Sequence, residues 1–83
     1  PSSLEIYDFR LHGTAAQYSA AHPQGTREHL HLHSGRVRVG PSVEPIELSA
    51  GDYVTFDASQ EHLYQRIGRA DVRGSLFITL SDA

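Results

Sequence analysis

Short apolar runs separated by turn-forming residues recur along the whole chain. The runs are rich in Val, Ile, Leu, Tyr and Phe, and the three- and four-residue spacing of an amphipathic helix is hard to find. Connections this short favour antiparallel pairing, because parallel strands need crossovers of a dozen or more residues. The pattern predicts an all-β sandwich or barrel with less than about a tenth of its residues in α-helix. The candidate strands cover residues 4–11, 15–20, 28–33, 36–39, 44–48, 53–56, 61–67 and 72–80.

Segment 28–40, EHLHLHSGRVRVG, alternates apolar and polar residues on both sides of a glycine. Successive side chains of a strand point to opposite faces, so the apolar residues share one face and the histidines share the other. The apolar residues are Leu30, Leu32, Val37 and Val39, and the histidines are His29, His31 and His33. Glu28 falls on the apolar face. A carboxylate buried there needs a cation, a metal or several donors beside it, because its unpaired burial costs several kcal/mol.

The connection at 34–35, Ser-Gly, predicts a tight β-hairpin, since such turns require a positive φ that glycine adopts without strain. In that register His33 would pair with Arg36, and His31 with Arg38. The arginine charges would then oppose any cation on the histidine face. We therefore expect the histidines to form an exposed or subunit-contacting face rather than a zinc site.

Composition limits the classes of function that remain. A chain of 83 residues without cysteine forms one domain that has neither disulfides nor thiolate sites. Its 7 basic residues are scattered arginines and its net charge is −3, which argues against this segment binding nucleic acid by itself. No run approaches the roughly 18 apolar residues that span a bilayer, and the chain does not open like a secretion signal. We expect a cytoplasmic protein with no membrane partner.

Two stretches of the chain resemble the sequence motifs of the cupins. The first motif, G-x5-H-x-H-x3/4-E-x6-G, is matched in its second part by His22, Gln24, Glu28 and Gly35 at the correct spacing. The second motif is G-x5-P-x-G-x2-H-x3-N. Its marked places are occupied by Gly51, Asp57, Ser59, His62 and Arg66. The resemblance covers residues 15–65, with departures at the second histidine, the proline, the second glycine and the asparagine.

The resemblance implies a metal site or a ligand pocket around Glu28. Two imidazoles and one carboxylate form the ligand set of facial-triad sites, so His22, Glu28 and His62 are the implied ligands of a divalent ion such as Fe, Mn, Ni or Zn. Gln24 replaces a histidine, and an amide oxygen is a poor substitute for imidazole on such metals. The alternative is a hydrogen-bonded cluster that lines a cavity and binds a small molecule without metal. The expected ligand-binding residues are His22, Gln24, Glu28, His62 and Tyr64.

The stretches HPQGTREHL, SGRVRVG and LSAGDYVTF are most similar to the C-terminal cupin domains of bacterial Xre-type helix-turn-helix regulators. This implies a small antiparallel double-sheet β-barrel, the cupin or jelly-roll fold, spanning 1–83 as the C-terminal part of a longer regulator. We predict a small-molecule sensor that forms a homodimer and reaches DNA only through a separate N-terminal domain. One alternative is a metal-dependent dioxygenase, epoxidase or isomerase using His22, Glu28 and His62. Another is a dimerisation module with a filled barrel. The sensor interpretation assigns no catalytic residues.

Overall fold

The computed structural model describes residues 2–81, which form eight strands and, within that range, no helix. The strands are β1 (Ser2–Leu11), β2 (Gln17–Ser19), β3 (Thr26–Ser34), β4 (Arg36–Pro41), β5 (Ile46–Ser49), β6 (Tyr53–Asp57), β7 (His62–Ile67) and β8 (Val72–Ser81). Each candidate strand overlaps one of these, and the differences lie at the strand ends. The all-β prediction is confirmed. No helix of the described residues has the length and hydropathy needed to cross a membrane.

The strands are arranged in two four-stranded sheets with the orders β1-β8-β3-β6 and β2-β7-β4-β5. Every pairing within these sheets is antiparallel. Strands far apart in the chain lie side by side, as in the pairing of β1 with β8. The result is the small antiparallel double-sheet β-barrel that the sequence predicted.

The core lies between the two sheets and is supplied by the alternation of their strands. Leu30 and Leu32 of β3 and Val37 and Val39 of β4 are 0% exposed, as segment 28–40 predicted. Complete burial of such a side chain stabilises the fold by about 1.5–3 kcal/mol. The cluster is completed by Phe9, Leu11, Leu48, Phe56, Ala58, Val72 and Leu76.

The predicted hairpin between β3 and β4 is wrong, because these strands belong to different sheets. β3 pairs with β6 and β8, whereas β4 pairs with β5 and β7. Gly35 therefore forms a corner between sheets: its φ is 81°, and a Cβ there would lie 2.6 Å from the Asp71 carbonyl oxygen. Close approach to the β7–β8 connection and the positive φ both require glycine.

The outer histidines, His29, His31 and His33, nevertheless point away from the core. His31 and His33 are exposed, and His29 is half-buried. Arg36 and Arg38 do not oppose them, since both lie on the other sheet beside Glu47. The burial of these side chains was predicted correctly although the pairing of the strands was not, because the side-chain period of a strand is two residues whichever strand it pairs with.

Candidate metal and ligand site

Glu28 enters the core from β3 with 1% of its side chain exposed. Its carboxylate is contacted by three side chains from the opposite sheet and the β2–β3 loop. The Nε2 atom of His62 lies 2.8 Å from Oε2 of Glu28, and the Nε2 atom of His22 lies 3.3 Å from the same oxygen. The hydroxyl of Tyr64 donates a hydrogen bond to the other oxygen, Oε1.

Local structure holds each partner in place. His62 and Tyr64 lie two residues apart on β7, so their side chains share one face of the strand and point into the barrel. β7 itself is paired with β2 on one side and with β4 on the other. His22 comes from the β2–β3 loop, where its backbone N–H donates to the Ala58 carbonyl oxygen at 2.9 Å. The rings of His22 and His62 lie 5.3 Å apart. The loop hydrogen bond thus brings a residue from outside the strands to the buried carboxylate.

The hydrogen bond made by Nδ1 of His62 determines what its other ring nitrogen, Nε2, presents to Glu28. Nδ1 of His62 lies 2.8 Å from the Gln60 carbonyl oxygen and must donate to it, because a carbonyl oxygen only accepts. In a neutral ring Nε2 then presents a lone pair to the Glu28 carboxylate. This buried Nε2 has no hydrogen-bond partner among the described residues. Two acceptors face each other there, and only a proton or a cation between them makes the contact favourable.

The pKa of Glu28 also favours a cation at this site. Burial raises the pKa of Glu28 above its ordinary value of 4.5, and the charges of His62 and His22 act in the opposite direction. The raised pKa reflects a carboxylate that lacks sufficient positive charge nearby. A divalent cation would supply that charge.

The three residues fit a metal ion. Their nearest ligand atoms, from His22, Glu28 and His62, all lie within 4.8 Å of one another. Two adjacent ligands of an ion, each about 2.1 Å from it at a right angle, are separated by about 3 Å. The contacts of 2.8 and 3.3 Å agree with that spacing. A bound ion would act as a Lewis acid toward oxygen atoms of a molecule in the cavity.

A cavity of about 390 Å³ opens beside Glu28, between the edge strands β1 and β2. Glu28, His22 and the Tyr64 ring form part of its wall. The remaining wall is mixed, with apolar side chains on the inner side. It comprises Tyr7, Asp8, Phe9, Arg10, Leu11, Gln17, Ser19, Leu76 and Ile78. A second cavity of about 180 Å³ borders the other side of His22.

The structure brings together most, but not all, of the residues that the motifs singled out. His22, Glu28 and Tyr64 line the larger cavity, and His62 contacts Glu28 from behind it with 0% of its side chain exposed. The structure does not bring Gln24 to the other four. Gln24 follows Pro23 in the β2–β3 loop, is exposed, and lines neither cavity. Metal and ligand binding by the clustered residues stay predictions.

Two features of the site were not anticipated. Phe9 packs its ring 5.3 Å from the ring of Tyr64 and forms part of the cavity wall. The alternation along β1 would have placed Phe9 in the core but not beside the site. Arg66, which stands where the motif has asparagine, donates to the His12 carbonyl oxygen and lies 3.4 Å from the Asp71 carboxylate. It joins the β1–β2 and β7–β8 connections and does not reach the cavity.

Comparison with known proteins supports the fold. No protein-family model matches the chain, and no curated protein matches it. An HTH_3 family transcriptional regulator from Vibrio cholerae superposes with a TM-score of 0.83 at 25% identity, covering 96% of this chain and 44% of the regulator. The cupin_2 domain of an XRE family transcriptional regulator from Enterobacter cloacae superposes with a TM-score of 0.83 at 23% identity, covering 90% and 79% of the two chains.

A third structure, a predicted oxalate decarboxylase from Thermotoga maritima, has a TM-score of 0.76 at 17% identity and covers 92% of this chain and 65% of its own. With its coverage of 44%, the chain spans less than half the length of the Vibrio cholerae regulator. The chain has the cupin fold, as its two motifs indicated, and its structural neighbours include an HTH_3 family regulator and the cupin_2 domain of an XRE family regulator.

Proposed function

We propose that this chain is the small-molecule-sensing cupin domain of a bacterial transcriptional regulator. The observation that carries the proposal is the buried Glu28 cluster opening on a cavity of about 390 Å³. A concave, largely apolar pocket with a few convergent polar groups is the usual form of a small-molecule site. The similarity to the Vibrio cholerae regulator over 96% of the chain supports the regulatory context.

The cavity favours a ligand with an apolar body and one polar end. Apolar side chains from β1 and β8 would contact the body, and the polar end would meet Glu28, His22 and Tyr64. The volume lies near the lower end of the range for ligand pockets, so the ligand is small. His22, Glu28 and His62 would hold a divalent metal, to which oxygen atoms of the ligand bind.

The effect of ligand binding would be transmitted to the attached DNA-binding domains through β1, β2 and β8, whose residues line the cavity. A ligand that binds one arrangement of these strands more tightly shifts the population toward it.

We propose that the domain forms a homodimer through the outer face of the β1-β8-β3-β6 sheet. Leu4 and Ile6 on that face are 60% and 63% exposed. DNA would be bound by a separate N-terminal domain, and the regulator would act in the cytoplasm.

A metal-dependent enzyme is the second candidate, favoured by the same set of two imidazoles and one carboxylate and by the unpartnered Nε2 of His62 within the described residues. Such an enzyme would need a substrate that enters the cavity and leaves it changed. The sensor binds and releases its ligand unchanged.

One preparation tests the pocket and separates the two functions. The chain is purified without a metal-affinity step, its metal is measured by elemental analysis, and bound small molecules are identified by native mass spectrometry. We expect a metal or a small molecule at close to one per chain, lost in Glu28→Gln and retained in Gln24→Ala, whose side chain lies outside the cavity. Wild type with neither, and with no Mn²⁺ or Zn²⁺ binding by calorimetry, would contradict the proposal. Conversion of the recovered molecule by fresh protein would favour the enzyme.

A further inference from the structure

The two carboxylate oxygens of Glu28 have different neighbours. Oε2 faces the Nε2 atoms of both histidines, at 2.8 Å from His62 and 3.3 Å from His22. Oε1 accepts a hydrogen bond from the Tyr64 hydroxyl. The carboxylate therefore presents a single oxygen to the two imidazoles.

Tyr64 is itself held on several sides. Its backbone lies within β7, paired with Gln17 of β2 and Val39 of β4. Its ring packs against Phe9 at 5.3 Å and meets the His62 ring edge-on at 5.9 Å. The hydroxyl is thus placed by an interior strand and two ring contacts.

We propose that Tyr64 is a positioning residue that fixes Glu28 as a ligand through one oxygen only, an inference that rests on the proposed metal site. A carboxylate can bind an ion through one oxygen or through both. Binding through both would place the ion and the Tyr64 hydroxyl in competition for the electron density of Oε1, so the hydroxyl favours the one-oxygen form. Hydrogen-bond partners of this kind raise metal affinity about 10–100-fold by orienting the ligand in advance.

Tyr64 also connects the metal ligands to the cavity. Tyr64 and Glu28 both line the cavity wall, whereas His62 does not. A molecule in the cavity would therefore contact the residue that orients the carboxylate as well as the ligands His22 and Glu28 themselves.

The test compares Tyr64→Phe with wild type as the full chain, stripped of metal with a chelator and titrated with Co²⁺. Phenylalanine keeps the ring contacts and removes the hydroxyl. We expect the Co²⁺ dissociation constant to rise about 10–100-fold. The visible absorption spectrum of bound Co²⁺ should also change, because the carboxylate is free to bind through both oxygens. A general loss of stability would not alter that spectrum. Tyr18→Phe, at a tyrosine 64% exposed on β2, is the matched control and should behave as wild type.

The outcomes separate this inference from the metal site itself. Equal affinity and an unchanged spectrum in Tyr64→Phe would overturn the role of Tyr64 and leave the metal site standing. Wild type that binds no Co²⁺ would overturn both. If Tyr64→Phe does not fold by circular dichroism, Phe9→Leu replaces it, because that change loosens the Tyr64 ring while keeping the hydroxyl. We then expect a smaller weakening in the same direction, and wild-type affinity in Phe9→Leu would overturn the proposal.

Discussion

At the scale of single residues, the buried carboxylate of Glu28 decides how the site responds to pH. Its pKa in the folded chain is raised above 4.5 by burial, against the opposing effect of His62 and His22. Between the unfolded and the folded pKa, the folded chain binds more protons than the unfolded chain. Stability is therefore highest below the unfolded pKa, and this group's contribution is lost as the pH rises through the folded value.

Glu28→Gln should remove this dependence in metal-free protein. Because the amide does not ionise, the stability of the variant relative to wild type should increase as the pH rises above 4.5. The total change amounts to about 1.4 kcal/mol for each unit by which the pKa is raised. Urea unfolding of both proteins over this rise in pH measures the difference, in which titrating groups remote from Glu28 cancel. A difference that is constant with pH, or that falls, would contradict the raised pKa.

The site was predictable from the sequence where a period or a motif applied. Alternation along segment 28–40 placed Glu28 in the core, because the two-residue period fixes the face of each side chain. His22 and His62 required the motif resemblance, since a loop residue and a distant strand residue share no period with Glu28. Gln24 was assigned to the cluster by its place in the motif, where it replaces the second histidine. In the structure it lies exposed in a loop whose path no local pattern specifies.

At the scale of strands, Gly74 controls how closely β3 and β8 approach. A Cβ at this position would lie 2.6 Å from the His31 carbonyl oxygen and 3.3 Å from Cδ1 of Leu30. Gly74→Ala would therefore separate the two strands or displace Leu30 from the core. We expect a loss of about 1–3 kcal/mol in the free energy of unfolding, as for overpacked cores.

Gly13→Ala is the control for that substitution, since a Cβ there would meet nothing within 4 Å. It should change the free energy of unfolding by no more than about 0.5 kcal/mol. Chemical denaturation of the three proteins measures both effects. Equal stability of Gly74→Ala and Gly13→Ala would show that β3 and β8 have room for a side chain.

The strands themselves were predictable, but their partners were not. Local alternation and turn residues located all eight strands of the described range. The pairing of β3 with β8 joins segments far apart in the chain, and no local pattern encodes it. Gly35 shows the difficulty: a glycine with positive φ between two alternating runs suits a hairpin and a corner between sheets equally well. Burial of both apolar faces in one core, which favours the corner, is a property of the whole barrel.

At the scale of the whole molecule, the outer face of the β1-β8-β3-β6 sheet combines apolar and titratable side chains. The outer histidines share it with Ile6 and Phe77, which are cross-strand partners. Its charged residues are Asp8, Arg10, Arg27, Asp57 and Arg73. Several neighbours contact the histidines directly: Tyr53 and Thr79 lie within 3.2 Å of ring nitrogens of His29, and Ser75 lies 2.8 Å from His33.

If this face forms the proposed dimer, the contact should weaken on acidification. Histidine is the side chain that gains charge between pH 8 and 5, and the added charge would lie on a face where three arginines, Arg10, Arg27 and Arg73, already outnumber two carboxylates, Asp8 and Asp57. We expect the dimer dissociation constant, measured by sedimentation equilibrium, to be higher at about pH 5.5 than at about pH 8. Replacing all three outer histidines by glutamine should abolish the difference, while His12→Gln, at an exposed histidine outside this face, should preserve it.

The triple variant should also keep full metal and ligand binding, because its substitutions lie outside the barrel. Loss of that binding in a folded triple variant, or an unchanged pH dependence, would show that the outer histidines have another role.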